Sequence, residues 1–567
     1  MSQVTQSAKS STLNPASPEP ARYGLWLLLL VLAVGLGASL NGWGVLESSE
    51  ARYAEIGREM LANRDWLHPR LLGIQHFHKP PLTYWLTAVG LAVAGPTAVG
   101  ARLLPIVAVL LQVALMYGLG RMFFGGDRRR ALAVAAVFST LPVVLISALN
   151  LTTDAYLLTL ELAATYAVLR YYAEARPGWL YLFWVGLGLA FLTKGPVGFV
   201  LPLMAMLGAH FRQPRQRRPY TVHHALGFVL FMVVGLGWYA YLAYENHAFV
   251  RYFLFEHTVE RFANPETFGR SKPWWFYLVL APLGSLPWSA ALLARAWRTP
   301  WAEVPRVWRN VLVFWVLVPL VFFSLSGSKL LLYVLPIFPG VSLLVVHYLG
   351  RCSEAVLRRW YVGVAWFFGG LLAVLGLAWV VAATGKLPLV VSPWVAVWAV
   401  LGAGALAGQH RLWRSGTAGA RLLLVPVVGT LFILLSAKSI LSGNELIFSG
   451  TRPLADRLMR PDFANCQVVV YNQLLPSLAF ELKQIPVSLF DGNLSLSRET
   501  QFEPDQSWRR LLIDLQDRKA PHIPLVQRWP RSPVLVVKGK LIPEREWLRA
   551  GLTREEVIGP WRIYSAP

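Results

Sequence analysis

Leu25-Trp-Leu-Leu-Leu-Leu-Val-Leu-Ala-Val-Gly-Leu36 is followed closely by Glu47-Ser-Ser-Glu50-Ala-Arg52-Tyr53-Ala-Glu55-Ile56. The first stretch predicts a membrane helix, because an unbroken apolar run of this kind needs lipid or a protein core around it. The second crowds carboxylates, an arginine and a tyrosine together where that helix ends. Further on, His76-Phe-His78-Lys79-Pro80-Pro81 adds two imidazoles and an ammonium before the chain turns apolar again. A tether between two membrane helices needs no such density of acid, base and aromatic chemistry. The pattern reads as an active site at a membrane interface.

The rest of the chain repeats the apolar theme. Of 567 residues, 55% are hydrophobic, 15% are charged and 24 are tryptophan. Mean hydropathy is +0.47, above ordinary globular usage, and apolar runs of helical length recur from Leu25 to about Leu441. The expected fold is a polytopic α-helical membrane protein with a C-terminal soluble α/β domain. A net charge of +23 would suggest nucleic acid for a soluble chain. Here the arginines fall mainly between apolar runs, where positive-inside bias and anionic headgroups account for them. Nucleic acid is therefore not an expected partner. Cys352 and Cys466 stand far apart, on opposite sides of the expected membrane, so no disulfide framework is expected.

Residues 1–22 read as a disordered cytoplasmic tail rich in Ser, Pro and Thr. The run after Arg22 imitates a signal peptide, but an uncleaved signal anchor fits better, since cleavage would untether the motif that follows. Arginine clusters at 128–130, 212–218, 295–309, 351–359 and 411–421 mark cytoplasmic loops. Spans starting near Leu25, Arg102, Ala131, Ala155, Trp179, Val197, Leu226, Trp274, Val311, Leu331, Val362, Val390 and Leu422 give about thirteen transmembrane helices within residues 23–442. Pro80–Ala94 is short and starts with proline, so it reads as re-entrant or interfacial. This topology gathers Glu47, Glu50, Arg52, Lys79, Asp154, Lys194, Glu256, His257, Arg261 and Lys329 on the non-cytoplasmic face. Residues 443–567 have ordinary charge density, with strands expected at Gln467–Tyr471, Val487–Phe490 and Pro533–Val537. Helices are expected at Ser507–Asp517 and Arg545–Arg549. This soluble domain should lie on the same outer face, in a supporting or acceptor-binding role.

Each polar group has a plain reading beside the chemical one. Glu47, Glu50 and Glu55 suit a helix N-terminus, yet a carboxylate here can also take a proton from an acceptor. Arg52 and Lys79 can snorkel to lipid phosphates, or hold a bound phosphate as a fork and a point charge. Tyr53 stands beside them. Lys194 and Lys329 repeat one pattern, a cation among small residues at an outer helix end, and Arg261 adds another on an outer loop. Asp154 can cap the helix it starts or serve as a second acid. His76, His78, His257 and Glu256 have the donor types that suit zinc, although such histidines are more often interfacial hydrogen-bonders. No GxxxxGK[ST] loop and no Asp-x-Asp pair occurs. A lipid-linked phosphate is thus a better donor than a nucleotide.

These residues resemble a known family. The order Glu50-Ala-Arg-Tyr-Ala-Glu-Ile, Arg58-Glu59-Met60-Leu61, Asp65-Trp66, Leu71-Leu72-Gly73, Lys79-Pro80, Asp154, Thr193-Lys194-Gly195, Glu256-His257 with Arg261-Phe262, and Ser328-Lys329-Leu330 is similar to that of bacterial aminoarabinose transferases. These group with protein O-mannosyltransferases in the GT-C class of membrane glycosyltransferases. The resemblance covers most of residues 40–340. It implies an undecaprenyl-phosphate-linked sugar donor, inversion at the anomeric carbon, no required cofactor, and lipid A or another outer-face glycolipid as acceptor. It also implies a bacterial inner-membrane location with the site and soluble domain in the periplasm. By the same resemblance Arg52 and Lys79 hold the donor phosphate, Tyr53 borders the cavity, and Asp154 is a second important acid. His257 resembles a histidine near a metal, and His78 stands where a glutamate is common.

One position departs from the family. Ser49 occupies the place of the usual catalytic Asp, which leaves Glu50, Glu47 or Asp154 to do its work, and Glu50 is the expected substitute. A protein or polysaccharide acceptor is the enzymatic alternative. From other classes, a lipid or sugar transporter would point to Glu161, and an inactive scaffold to Ser49 itself.

Overall fold

The computed structural model describes residues 20–47, 49–210, 221–253, 272–296, 301–386, 388–412, 417–463, 465–492, 496, 499–516, 523–529 and 532–567. Helix α1 (Pro20–Gly37) is the first apolar run. Leu28, Leu32 and Leu36 recur at helical spacing and are buried, whereas Trp26, Leu27, Leu30 and Val34 are exposed. The thirty-residue helix Glu354–Ala383 likewise buries only Tyr361, Val364, Phe368 and Leu372. Apolar stripes of this size face lipid, because every backbone polar group inside a helix is already satisfied. The chain is a multi-pass membrane protein.

Among the described residues, seven helical stretches are long and apolar enough to cross a membrane, or up to nine if each of two bent pairs is one span. Four of the thirteen expected runs are not counted separately here. Those near Leu25 and Val390 form shorter apolar helices, Tyr23–Gly37 and Trp394–Gln409, and the run near Ala155 forms the helix Thr153–Glu174, which carries Asp154, Glu161, Arg170 and Glu174 and is not among the counted stretches. The runs near Trp179 and Val197 are counted as one apolar stretch, Pro177–Ala209, yet it folds back on itself, as two separate spans do. Phe191 stacks on Phe199 with ring centroids 5.0 Å apart, whereas eight residues of straight helix cover about 12 Å. The reversal falls at Gly195, whose φ of +70° a side chain would strain.

The first outer segment is built from short pieces. Helix α2 (Ser49–Asn63) buries Ala51, Ala54, Ile56 and Met60, each large one contributing about 1.5–3 kcal/mol. Strands β1 (Arg70–Leu71) and β2 (Ile74–Gln75) form an antiparallel hairpin. Its central residues, Leu72 and Gly73, both have positive φ, the combination that a two-residue turn of the primed type requires. Helix α3 (Leu82–Ala94) has 13 residues and is about 20 Å long, too short for a hydrocarbon core of roughly 30 Å. It turns back onto α4 (Ala98–Phe123), where a Cβ on Gly90 would meet the Gly100 carbonyl oxygen at 2.5 Å. Both ends of α3 therefore stay at one end of the bundle, as an interfacial segment does.

Helices α5 (Arg128–Ser139) and α6 (Pro142–Leu149) form one bent pair, at 63°. Pro142 has no N–H to continue the ladder. Helices α7 (Thr153–Glu174), α8 (Pro177–Lys194) and α9 (Val200–His210) follow and pack on one another.

The C-terminal domain is a six-stranded sheet in the order β5-β4-β3-β6-β8-β7. β3 (Gln467–Tyr471), β4 (Val487–Phe490), β5 (Leu512–Asp514) and β6 (Pro533–Lys538) run parallel, and β7 (Arg554–Ile558) and β8 (Trp561–Ser565) close the edge as a hairpin. The helix expected at Ser507–Asp517 is instead a 3-10 turn, Ser507–Arg510, followed by β5. Leu512 and Ile513 are buried, so tertiary burial overrides the local helical pattern. Arg545–Arg549 lies in a 3-10 helix, Pro543–Arg549. The domain is clamped to the α1–α2 loop: Ser477 N–H donates to Glu47 at 2.8 Å, Val45 N–H to Glu481 at 3.2 Å, and Gly44 N–H to Glu445 at 3.0 Å.

Candidate active site

Ser49, Arg52 and Tyr53 share one face of α2, as residues three and four apart do. All three line one polar cavity. A second wall is the loop after β2, carrying His76, His78 and Lys79. That loop is set by the hairpin, whose Gly73 N–H donates to Glu59 at 2.9 Å and whose Gln75 N–H donates to Glu503 at 2.6 Å. A third wall is the start of α7, with Thr152, Thr153 and Asp154. Lys194 at the end of α8, Tyr84 of α3, and Leu330 with Tyr333 complete it.

Asp154 and Lys194 form an ion pair of 2.5 Å, and the ammonium lies 4.1 Å from the centre of the Tyr333 ring. Thr152, not Asp154, caps α7, accepting the Asp154 N–H at 3.4 Å. The Asp154 carboxylate is thereby left to orient Lys194. Arg52 has no ion-pair partner among the described residues, so its fork is available to an anion in the cavity.

Glu50 is placed differently from the expectation. Its carboxylate takes Arg102 Nε at 2.7 Å and Nη2 at 2.9 Å, together with the Leu46 N–H at 2.9 Å. Arg102 is itself fully buried and donates to the carbonyls of Leu40, Trp43 and Gly44. With both oxygens committed, Glu50 anchors the α1–α2 loop and is poorly placed as a base. Lys329 also turns away. It donates to the Ser326 carbonyl at 2.5 Å and the Lys272 carbonyl at 3.0 Å, and the cavity is lined by its neighbour Leu330. Glu256, His257 and Arg261 lie outside the described residues.

Glu47 borders a second, larger cavity, mostly apolar, running between α6, Glu354–Ala383 and the helix Ala418–Leu441. Burial pushes its carboxyl up to about 7, against the hydrogen bond from Ser477. Ser49 lines both cavities. The position that departs from the family pattern therefore lies between the two spaces. Nearby, burial and then the Glu55 charge raise Glu59 to about 8, and Glu55 is held by Arg58 at 2.6 and 2.7 Å.

His76 and His78 stand with ring centres 4.0 Å apart. His78 Nε2 lies 2.6 Å from Glu499, a fully buried carboxylate that also accepts from Tyr252. Donor atoms of His76, His78 and Glu499 lie within 4.8 Å of one another. Glu161, seven residues along α7 from Asp154, is fully buried, and neither oxygen is hydrogen-bonded among the described residues.

Arg102, Tyr333 and Glu499 escaped the sequence reading. Arg102 did carry a signal, being a charge within an apolar run. Glu499 carried none, since its partners Phe77 and Tyr252 are 422 and 247 residues away.

With this geometry in view, known proteins can be compared. Residues 78–238 match the family described as dolichyl-phosphate-mannose-protein mannosyltransferase. An undecaprenyl phosphate-alpha-4-amino-4-deoxy-L-arabinose arabinosyl transferase of Serratia proteamaculans is 30% identical over 65% of this chain and 67% of its own length. The chain belongs to this arabinosyl transferase family. A relative of the same name from Pseudomonas aeruginosa is 35% identical over 58% of the chain, which spans 60% of that relative's length. The crystal structure of ArnT from Cupriavidus metallidurans bound to undecaprenyl phosphate superposes with a TM-score of 0.76 at 24% identity, covering 95% of this chain and 97% of that one. The fold is GT-C.

Proposed function

We propose that this protein is an inverting glycosyltransferase that moves an aminoarabinose-like sugar from undecaprenyl phosphate to lipid A or a related outer-face glycolipid. The reading supposes the bacterial inner membrane, with the cavity and C-terminal domain in the periplasm. The carrying observation is the cavity that Arg52 and Lys79 line together with the Asp154–Lys194 pair, with Ser49 standing between it and a larger apolar space. Names and fold of the relatives support the same chemistry.

In this reading Arg52 and Lys79 hold the donor phosphate, and Tyr53 and Lys194 border it. The acceptor oxygen attacks the anomeric carbon as the bond to the phosphate oxygen breaks. Undecaprenyl phosphate departs with that electron pair, its charge met by the two cations. The acceptor proton goes to Glu47, whose pKa near 7 suits a general base at neutral pH. An acceptor phosphate, already largely ionised, asks little of that base, which is consistent with serine at position 49. Asp154 acts by positioning Lys194.

His76, His78 and Glu499 offer two imidazoles and a carboxylate, a donor set that suits zinc. A bound ion would supply fixed positive charge beside Lys79.

Mass spectrometry of lipid A and other envelope glycolipids, from cells with and without the protein, tests the assignment. A sugar lost with the protein and with Arg52→Ala is expected. An unchanged glycolipid profile alongside lost labelling of protein or polysaccharide would move the acceptor there.

A further inference from the structure

At the far end of α4 from Arg102, 21 residues and about 30 Å away, lies an open cavity that the transfer reaction does not use. Phe123 and Phe124 close α4 on one side, Arg130 comes from the first turn of α5, and His347 and Arg351 come from the end of the apolar stretch Leu331–Leu349. Glu303 lies between them and pairs with Arg351. His347 is 6% exposed, and its Nε2 has no hydrogen-bond partner among the described residues. A buried ring nitrogen left so costs roughly 1–3 kcal/mol unless something in the cavity meets it.

We infer that this cavity binds the phosphate of an anionic membrane lipid. A phosphate oxygen can accept from the Nε2–H of His347 while the Arg130 guanidinium neutralises its charge. Arg130 is held loosely enough to do so: its side chain is 54% exposed, 3.4 Å from Asp127 and 5.5 Å from the Phe124 ring centre. Arg351, already paired with Glu303, would add a weaker second cation. The aromatic side of the cavity favours a lipid over free phosphate. Phe123 sits edge-on to His347, with ring centroids 5.8 Å apart, and an apolar wall suits glycerol and acyl carbons rather than a hydrated ion. Arg130 and Arg351, each from one of two arginine clusters far apart in sequence, both line the cavity. They would then form a binding site at the basic end of the bundle as well as set topology.

Native mass spectrometry of the full chain, titrated with phosphatidylglycerol or phosphatidylethanolamine, tests the inference. Preferential retention of phosphatidylglycerol is expected, weakened about five-fold by Arg130→Gln and at least as much by His347→Ala. Arg549→Gln, on the surface of the C-terminal domain where Arg549 pairs with Glu546, should leave it unchanged. Arg130 is exposed, so its variant reads binding even if His347→Ala misfolds. Equal retention of the two lipids, or retention indifferent to Arg130→Gln, would overturn the site. Inorganic phosphate binding with the same dependence on His347, without lipid preference, would overturn the lipid source.

Discussion

Glu50 and Arg102 form a buried, two-pronged ion pair at 2.7 and 2.9 Å that closes the α1–α2 loop against α4. Removing one partner leaves the other charge uncompensated, at a cost of about 3–5 kcal/mol. Glu50→Gln and Arg102→Met should each lower the thermal unfolding midpoint in detergent sharply. The double variant should be less damaged than the two losses added together. Additive losses would mean that the pair does not couple.

Glu47 links stability to pH. Burial holds its carboxyl up to about 7, against 4.5 for an ordinary glutamate. Between those values the folded state binds more protons than the unfolded one, so stability is greatest at the acid end and falls as pH rises towards 7. The slope approaches about 1.4 kcal/mol per pH unit for one proton. Glu47→Gln should flatten that part of the curve, measured by thermal unfolding at pH 5 and pH 8. It should also lower sugar transfer to a hydroxyl acceptor about 10²–10⁴-fold. A variant with the wild-type rate would remove Glu47 from the chemistry.

Arg52 and Lys79 should differ in what replaces them. Losing a charge-assisted contact of about 1.5–3 kcal/mol weakens donor binding roughly 10–100-fold, so Arg52→Ala and Lys79→Ala should both lose affinity for undecaprenyl phosphate. Arg52→Lys should rescue little, since a point charge cannot reproduce a fork. Equilibrium binding of the lipid to purified protein separates these outcomes.

Metal content tests the histidine cluster directly. Purified protein should carry zinc close to one per chain by elemental analysis, and Glu499→Gln or His78→Ala should lower it. Zinc unchanged in both variants would place any ion elsewhere.

Much of this site was legible before the fold was known. Arg52, Tyr53, Lys79, Asp154 and Lys194 were readable as polar groups stranded at the ends of apolar runs, and the cavity brings them together. The role of Glu50 was not, because nothing local says that an arginine 52 residues on will take both its oxygens. The break within residues 177–209 was legible too: separate spans near Trp179 and Val197 were expected with Lys194 between them, and the Gly195 reversal and the Phe191–Phe199 stack fall there.

The hairpin β1–β2 depends on acids from the other end of the chain. Arg70 and Gln75 bind Glu503, and the Phe77 N–H points to Glu499 at 3.5 Å, with 422 residues between them. At a synthesis rate of about 5–20 residues per second, that interval lasts on the order of a minute or less. Throughout it, the segment bearing His76, His78 and Lys79 is made but lacks these tethers. A ribosome that stalls before residue 499 leaves an inserted bundle whose catalytic wall is unset, so biogenesis itself withholds the finished cavity until nearly the whole chain has been made.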